Sequence, residues 1–386
     1  MIINRAYKTG LILNKRQIGL FIQYSGAARF VYNWALADRI SRYESGNPTN
    51  RFDQMKRFNS IKDKEFPWIR EIPYVVQQEA IKNLDDAYTN FFRRIKKGAD
   101  KKGFPKFKSR YQGICNFSFR GSIHINLNKI KLPIIGWLKL AQKNYLPLDG
   151  KCKINKATVS NKSGRWFVSI QVEETIPDPI PATNKPIGID VGINKLAVLS
   201  DGREYDVIYN PRLDKKVKRL QRELSRRTKG GSNWNKTKIK LGRAMNKVSS
   251  TRTTNLHNIS KNITNSKPSS IIVENLNISG MVKNRHLAKS IQESSWGELQ
   301  RQLEYKSLWN GIEFIKADRW YPSSKICSNC GNKKEVLLLS DRIYKCENCG
   351  LIIDRDLNAA INLAALSEGQ NKPGLPEELI CNNVSL

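Results

Sequence analysis

Four cysteines near the end of the chain have the spacing of a metal site. They form the pattern C-x2-C-x15-C-x2-C, made by Cys327, Cys330, Cys346 and Cys349. In zinc ribbons each C-x2-C pair forms a turn that supplies two thiolates, and two such turns bind one tetrahedral ion. Four thiolates fill the coordination sphere, so the pattern predicts one structural Zn²⁺ ion. The remaining cysteines, which are Cys115, Cys152 and Cys381, are interpreted as apolar filler residues.

Three carboxylates lie within or beside short apolar runs in the second half of the sequence. They are Asp190 in IGIDVGI, Glu274 at the end of IIVE, and Asp356 at the start of a final helical stretch. An acid inside a buried strand is costly unless a cation or partner compensates its charge. Three acids that converge on two Mg²⁺ ions would form a site for two-metal phosphodiester hydrolysis. Asp354 is the alternative to Asp356, since either aspartate can cap the helix.

Two glycines flank the first of these acids. Gly188 and Gly192 lie two residues to either side of Asp190. A missing side chain often marks a place where another backbone approaches closely. We interpret both glycines as allowing a phosphate backbone to reach the carboxylate.

The overall charge predicts a polyanionic partner. The 386 residues contain 67 Lys and Arg against 34 Asp and Glu, a formal net charge of +33. Such an excess favours nucleic acid binding. The sequence contains neither a long apolar run nor a signal-peptide core, which indicates a protein without a membrane partner. We also expect the protein to be in the reducing cytoplasm.

Two segments concentrate the positive charge. Between Arg93 and Arg110 there are nine Lys and Arg against one Asp, with aromatic residues set among them. Residues 211–247 read as a basic helical hairpin broken at two glycines. Both segments are interpreted as cradles for a nucleic acid backbone, with Phe104, Phe107 and Tyr111 available for stacking. The contacts predicted from the two segments are Arg93, Arg94, Lys106, Phe107, Lys108, Lys218 and Arg222.

The elements that must position these residues follow from periodicity. Residues 15–94 have helical spacing, residues 115–174 contain short β-like runs that suggest a small barrel, and a proline-rich linker places a boundary near residue 184. After the linker, PIGIDVGINKLAVLSDGREYDVIYN reads as two strands joined at Asp201-Gly202. Alternating strands and helices then continue to the final helix, which indicates an α/β fold.

Several of these motifs together resemble a known family. GIDVGINKLAVLSDG, IIVENLN and YPSSKICSNCG…CENCG…DRDLNAAINL are similar to the RuvC-like nuclease domain of the TnpB family, transposon-encoded RNA-guided DNA nucleases related to type V CRISPR effectors. ARFVYNWAL, QQEAIKNLDDAYTNFFRR and GFPKFKSR resemble that family's recognition lobe and wedge barrel. The resemblance extends to about Ala365.

The resemblance implies a domain plan. The implied domains are a wedge β-barrel (1–14 and 111–183), a helical recognition lobe (15–110), an RNase H-like RuvC nuclease domain (184–319 and 354–366), an inserted zinc ribbon (320–353) and a mobile tail (367–386). Because the ribbon immediately precedes the last helix, we hypothesise that zinc binding fixes where Asp356 points.

The resemblance also implies a function. The expected protein is a prokaryotic, nucleoid-associated endonuclease that takes a guide RNA from the transposon end and binds double-stranded DNA as a monomer with one RNA. Asp190, Glu274 and Asp356 would hold two Mg²⁺ ions and cut beside a short adjacent motif. By the same resemblance, Gln78 and Ser118 would contact that motif.

Three other functions remain open at this point. A DDE-class transposase shares the chemistry, but its third acid is normally Glu. An RNA-guided repressor that binds without cutting would be expected to lack part of the triad. A compact type V CRISPR effector would have the same domain plan and differ only in the source of its RNA.

Overall fold

The computed structural model describes residues 1–99, 101–110, 116–147, 152–338 and 340–368. Cys115, Cys381, Tyr111 and most of the expected tail lie outside these ranges. The chain forms two compact units. Unit 1 comprises Met1–Pro177 and Arg226–Arg243, and unit 2 comprises Asp178–Ser225 and the described residues from Ala244 onward.

Unit 1 contains the helices expected between Lys15 and Arg94. They are α1 (Lys15–Glu44), α2 (Arg51–Glu65), a short 3-10 helix (Pro67–Glu71) and α3 (Tyr74–Lys96). Asn14 begins α1 with a capping box, in which its side chain accepts from Gln17 N at 2.8 Å and Gln17 bonds back to the Asn14 N–H. This reciprocal pair satisfies two N–H groups that a helix start otherwise leaves unbonded.

A seven-stranded antiparallel sheet completes unit 1. Its strands are β1 (Ile2–Ile12), β2 (Asn116–Phe119), β3 (His124–Asn126), β4 (Lys129–Leu132), β5 (Gly136–Leu140), β6 (Lys153–Lys162) and β7 (Arg165–Thr175). Among the described strands the order is β2-β6-β7-β1-β5-β4-β3, with β2 and β3 at the two ends. One face packs on α1, where Phe21 contacts Phe117 and Trp166 edge to face.

Unit 2 is built on a five-stranded sheet. Its strands are β8 (Ile187–Asp190), β9 (Lys195–Leu199), β10 (Glu204–Asp206), β11 (Ser270–Val273) and β12 (Glu313–Lys316). The order is β10-β9-β8-β11-β12. The region expected to hold two strands therefore holds three, because the segment after Asp190 is a separate turn between β8 and β9.

Six helices are described from residue 211 onward. They are α4 (Pro211–Ser225), α5 (Ser232–Asn265), α6 (Ile278–Met281), α7 (Ala288–Ser294), α8 (Trp296–Asn310) and α9 (Arg355–Ala365), which ends in a 3-10 turn (Leu366–Glu368). The residues of α5 up to Arg243 belong to unit 1, and those from Ala244 onward belong to unit 2. All four residues of β11 are buried, as expected for a parallel strand covered on both faces. The stretch between β12 and α9 contains the four cysteines and is called the cysteine segment here. Within it, β13 (Ile343–Lys345) pairs with β14 (Ile352–Asp354). None of the helices in the described part of the chain has both the length and the apolar composition that a membrane crossing needs.

Candidate active site and metal centre

Strand register brings the first two acids to one edge of the sheet. β8 and β11 are parallel neighbours, and Ile189 lies opposite Val273. Asp190 and Glu274 are the next residues along these two strands. Because adjacent parallel strands present neighbouring residues on the same face, the two carboxylates lie side by side at the carboxyl edge, where α/β sheets commonly bind ligands.

Gly188 allows α9 to pack directly on β8. A Cβ atom built at Gly188 would collide with the Ala360 carbonyl and the Ala364 amide. The sequence interpretation of this glycine was therefore wrong: the space above it is filled by the last helix and not by a phosphate backbone. Gly192 differs, since its Cβ would lie 3.0 Å from the Lys195 carbonyl in the turn that follows β8.

The same packing carries the third acid to the site. Gly188 and Asp190 share one face of β8, about 6.6 Å apart along the strand. Asp356 lies four residues before Ala360, about one helical turn, with a rise of about 6.0 Å along the helix. The rise from Asp356 to Ala360 is therefore nearly equal to the distance from Asp190 to Gly188. Asp356 comes close enough to Asp190 for its charge to shift the pKa of Asp190.

The structure distinguishes the two aspartates at the start of α9. Asp354 is the N-cap, and its Oδ1 accepts from Asp356 N at 2.9 Å and from Leu357 N at 3.1 Å. Asp356 lies in the first turn with a side chain that is 19% exposed. Of the two negative charges, Asp356 also raises the pKa of Asp190 more than Asp354 does.

Asp190 lies in an environment that disfavours a bare negative charge. Burial raises the pKa of its carboxyl well above the ordinary value, and the charges of Glu274 and Asp356 raise it further. The positive charge of Arg355 lowers it. A set of oxygen donors with this excess of negative charge fits Mg²⁺, which takes carboxylate ligands and retained waters.

Arg355 is the basic residue within the acidic group. Its guanidinium donates to Asp356 Oδ1 from Nε at 3.2 Å and from a terminal nitrogen at 2.9 Å. The Arg355 side chain is only 16% exposed, so the pair is shielded from solvent.

Glu274 has two partners that sequence reasoning missed. The Ser323 hydroxyl donates to Glu274 Oε1 at 2.6 Å, and Gln300 on α8 donates to the Glu274 backbone carbonyl at 2.9 Å. Ser323 belongs to YPSSK, where two adjacent serines look equivalent in the sequence. Only the tertiary contact identifies the first serine as the one that reaches the acid.

The four cysteines form a compact cluster, as the spacing predicts. Their sulfur atoms all lie within 4.8 Å of one another, and the pairs Cys327–Cys349 and Cys330–Cys346 are each 3.6 Å apart. Four sulfurs at ~2.3 Å from a central ion would be ~3.8 Å apart, so the arrangement fits a tetrahedral metal. Among the described residues, these four cysteines are the one group of three or more possible metal ligands found with their donor atoms gathered together.

Backbone amides and burial act on the thiols in opposite directions. A hydrogen bond from the Asn332 backbone is the main cause that lowers the pKa of Cys330 to about 6. Burial raises the pKa of Cys327 to about 12. A metal that binds all four sulfurs must therefore displace a firmly held proton from Cys327.

Two buried asparagines join the cysteine segment to α9. Asn358 donates to the Ile326 carbonyl at 2.7 Å and accepts from Ser328 N at 2.9 Å. Asn362 donates to the carbonyls of Ser323 at 2.8 Å and Ile326 at 2.6 Å. The residues on either side of Cys327 are thus bonded to the helix that carries Asp356.

Three family descriptions match the chain. Residues 1–48 match a helix-turn-helix domain of the OrfB/IS605 group, residues 167–285 match OrfB/IS605, described as a probable transposase, and residues 296–363 match the Cas12f1-like TNB domain. The last match contains the four cysteines and ends two residues before α9 does.

Relatives match over almost the full length. A protein of Streptomyces pristinaespiralis is 32% identical over 377 residues, which is 94% of this chain and 89% of the relative. InsQ of Escherichia coli K12 is 32% identical over 365 residues, 89% of this chain and 87% of the relative. Both are named "Putative RNA-guided DNA endonuclease". A TnpB-like protein of Methanocaldococcus jannaschii is 30% identical over 203 residues, 49% of this chain and 71% of the relative. The chain belongs to the TnpB family.

One solved structure supports the fold of this TnpB-family chain. The cryo-EM structure of a Cas12f1–sgRNA–target DNA complex matches with a TM-score of 0.54 at 17% identity, over 92% of this chain and 83% of that chain. At this identity the likeness concerns the fold alone.

In unit 1 of the TnpB-family chain, the structure modifies the interpretation of the basic segment. Asn33 on α1 bonds both to the Lys108 carbonyl at 3.0 Å and to the Lys108 amide at 2.8 Å. The Lys108 ammonium lies 3.6 Å from the centre of the Tyr32 ring, and burial lowers the pKa of Lys108 to about 8. Lys108 therefore packs on α1, and its predicted contact with a phosphate stays a prediction.

The aromatic residues of this segment also differ in placement. Phe104 meets Tyr88 and Phe91 edge to face, with ring centres 5.6 and 5.3 Å apart, so it anchors the segment on α3. Phe107 is 53% exposed and keeps a face for stacking. Lys106 is exposed beside it.

The remaining predicted contacts divide into exposed and engaged side chains. Arg93 and Arg94 are exposed near the end of α3, where Arg94 also covers Gly103. Gln78 is half-buried on the same helix. Ser118 is buried, with its hydroxyl 3.1 Å from Thr158 Oγ1, and this placement argues against a direct contact with DNA.

In unit 2 the two predicted contacts lie on α4. Arg222 is exposed. Lys218 is one turn earlier and pairs with Asp214 at 2.8 Å. The pair reduces the net positive charge that Lys218 presents to a phosphate.

Proposed function

We propose that this chain is an RNA-guided DNA endonuclease that cuts target DNA next to a short adjacent motif by Mg²⁺-dependent phosphodiester hydrolysis. The observation that carries the proposal is the meeting of Asp190, Glu274 and Asp356 on β8, after β11 and on α9, in surroundings that raise the pKa of Asp190. The names of the full-length relatives and the excess of positive charge support the same function.

We assign unit 2 to an RNase H-like nuclease domain of the RuvC type. Counted within the unit, its strand order is 3-2-1-4-5, with the fourth and fifth strands parallel to the first. We keep the domain plan proposed from the sequence, with the recognition lobe at 15–110, the wedge at 1–14 and 111–183, the nuclease at 184–319 and 354–366, and the ribbon at 320–353. The exception is Arg226–Arg243, which belongs to unit 1 and not to the nuclease unit.

The three acids, Asp190, Glu274 and Asp356, would hold two Mg²⁺ ions. When bound, the ions supply the positive charge that activates water and stabilises the leaving oxygen. The chain itself orients these ligands. Ser323 fixes one oxygen of Glu274, the N-cap at Asp354 fixes the start of α9, and Arg355 opposes protonation of Asp190.

The cysteine cluster would hold one structural Zn²⁺ ion. All four positions are occupied by sulfur, so a substrate has no open coordination position there. Its contribution to catalysis would be to hold residues 323–328 against Asn358 and Asn362 on α9.

The RNA would read the target sequence by base pairing, while the protein holds the backbone of the heteroduplex. The exposed basic residues of α3 and α4 and the ring of Phe107 are suited to this task, because their contacts do not depend on base identity. We expect the guide to come from the transposon end and one chain to bind one RNA.

The deciding experiment begins with the RNA that copurifies with the wild-type protein. That RNA is sequenced and reprogrammed to cleave a plasmid library with randomised flanks in the presence of Mg²⁺. We expect a flank-dependent double-strand break that Asp190→Ala abolishes while RNA binding is retained.

The same assay separates the alternatives. RNA-directed binding without a cut by the wild type would indicate a repressor and refute the proposal. Strand joining without a guide would indicate a DDE-class transposase. A copurifying CRISPR-array RNA in place of transposon-end RNA would indicate a type V effector.

A further inference from the structure

The Ser323 hydroxyl connects the second acid to the element that carries the third. Ser323 follows β12 and is 3% exposed. Its hydroxyl donates to Glu274 Oε1 at 2.6 Å, and its carbonyl accepts from Asn362 Nδ2 at 2.8 Å. Asn362 is 1% exposed on α9, so this connection is inside the protein and away from competing water.

The hydrogen bond from Ser323 has a geometric consequence for Glu274. The side chain of a glutamate has three rotatable bonds and is therefore poorly fixed at a strand end. A hydrogen bond of a hydroxyl to a carboxylate is stronger than one between neutral groups. Holding one oxygen fixes the rotation of the carboxylate, and the Gln300 bond to the Glu274 carbonyl fixes its backbone.

We infer that Ser323 is a positioning residue for Glu274, which sets its carboxylate for divalent cation binding and couples it to α9 through Asn362. The inference rests on the proposed function, because it concerns the same site. It assigns Ser323 no contact with the substrate. Groups that orient metal ligands commonly change metal affinity or activity by about 10–100-fold when they are removed.

The neighbouring serine provides a matched control. Ser324 has the same side chain in the same segment and is half-buried. Within the described contacts, the hydrogen bond to Glu274 belongs to Ser323 and not to Ser324. Ser323→Ala and Ser324→Ala each remove one hydroxyl group from neighbouring positions. Only Ser323→Ala removes the hydrogen bond to Glu274.

The test measures Mn²⁺ binding to the full-length, zinc-loaded protein–RNA complex by electron paramagnetic resonance. The complex of Asp190→Ala with RNA is the control that measures the Mn²⁺ ions bound by the RNA. We expect Ser323→Ala to weaken specific Mn²⁺ binding about 10–100-fold, Ser324→Ala to change it less than about twofold, and Ser323→Thr to restore it by returning a hydroxyl. The Mg²⁺ concentration for half-maximal cutting should shift in parallel.

A double-mutant cycle tests whether Ser323 acts through Glu274. In a Glu274→Gln background, Ser323→Ala should cause no further loss of Mn²⁺ binding. An undiminished loss in that background, or wild-type Mn²⁺ affinity in the single variant, would overturn the inference.

Unfolding temperatures without added divalent ions check the fold. If Ser323→Ala does not fold, Ser323→Cys provides the same comparison with a weak donor of similar size.

The two proposals fail separately. Wild-type complex that binds Mn²⁺ at this site but cuts no DNA would refute the nuclease and leave the role of Ser323 intact. Wild-type complex that cuts DNA while Ser323→Ala and Ser324→Ala bind Mn²⁺ equally would refute the role of Ser323 alone.

Discussion

At the residue scale, the acidic site combines one strongly disfavoured charge with several groups that fix its neighbours. Burial is the main cause that raises the pKa of Asp190, and the adjacent acids add to it. Asp354 caps α9, while Ser323 and Arg355 each bond one of the other acids. A cation bound among these groups would relieve a repulsion that the fold maintains.

Asp190 should destabilise the folded protein at neutral pH in buffer free of divalent cations. Its folded pKa lies above the ordinary value of 3.8, so stability should fall as pH rises from 3.8 through the folded pKa and then stay constant. Asp190→Asn should raise the unfolding temperature at pH 8 and flatten this dependence. Thermal unfolding of full-length protein against pH provides the measurement, in Mg²⁺-free buffer without chelator so that the cysteine cluster keeps its metal.

Asp201→Asn is the control with the opposite sign. Burial raises the pKa of Asp201, but its bonds to Arg203 outweigh burial and lower it overall. The wild-type carboxylate therefore stabilises the fold above its unfolded pKa and loses that effect as pH falls through the folded pKa. Asp201→Asn should lower the unfolding temperature at pH 8. A rise in both variants would contradict the assignment of Asp190.

The two aspartates of α9 should differ in what their removal costs. Asp356→Asn should reduce DNA cutting at least about 100-fold, because even a misplacement of about 1 Å at a reacting centre can cost that much. Asp354→Asn should keep most of the activity, because Asn caps helices about as well as Asp, whereas Asp354→Ala should cost about 1 kcal/mol of stability. Cleavage of labelled DNA and chemical unfolding measure the two effects. Equal loss of cutting in both Asn variants would contradict the assignment.

At the element scale, α9 depends on two neighbours for its position. β8 offers a surface without a side chain at Gly188, and the cysteine segment offers carbonyls to Asn358 and Asn362. The third acid is therefore placed by packing that originates outside its own helix.

Gly188→Ala should separate α9 from β8. The added methyl group would meet backbone atoms, which cannot rotate away as a side chain can. Overpacking of this kind costs about 1–3 kcal/mol and sometimes more. Chemical unfolding and DNA cutting should both show the effect. Gly19→Ala is the control, since Gly19 is exposed on α1 with no atom near a new Cβ, and it should stabilise by about 0.5–1 kcal/mol.

Loss of the metal from the cysteine cluster should lower cutting while all three acids remain. Cys346→Ala should release the segment bonded to Asn358 and Asn362, and a displacement of roughly 1 Å at Asp356 can cost about 100-fold in rate. Zinc content and cleavage rate are measured together. Cys152→Ala, a half-buried cysteine outside the cluster, should change neither. A Cys346→Ala protein that lacks zinc but cuts at the wild-type rate would exclude this coupling.

At the scale of the whole molecule, the net charge of +33 would govern how the chain binds the guide RNA proposed above. A protein that neutralises phosphates releases their counterions, so its affinity falls steeply with salt. This contribution is independent of sequence and suits a protein whose guide supplies the specificity.

RNA affinity should therefore fall with salt on a logarithmic plot with a slope of about −0.7 for each phosphate neutralised. Arg222→Gln, which removes one such contact, should make that slope shallower by about 0.7. Lys218→Gln on the same helix should reduce it less, because Lys218 already pairs with Asp214. Filter binding of labelled RNA between low and physiological salt measures all three proteins. Equal slopes for wild type and Arg222→Gln would remove α4 from the RNA-binding surface.

The sequence by itself determined the cysteine cluster, most of the helices and strands, and the family, although it joined β8 and β9 into one strand. Local spacing decides which residues can clamp one ion, and hydrophobic periodicity decides each element. It also identified three acids, but left Asp354 and Asp356 open, since either can cap a helix. Only the tertiary structure made Asp354 the cap, filled the space at Gly188 with α9, turned Lys108 and Ser118 inward, and separated Ser323 from Ser324. These features depend on which distant segments meet, and no local pattern encodes that.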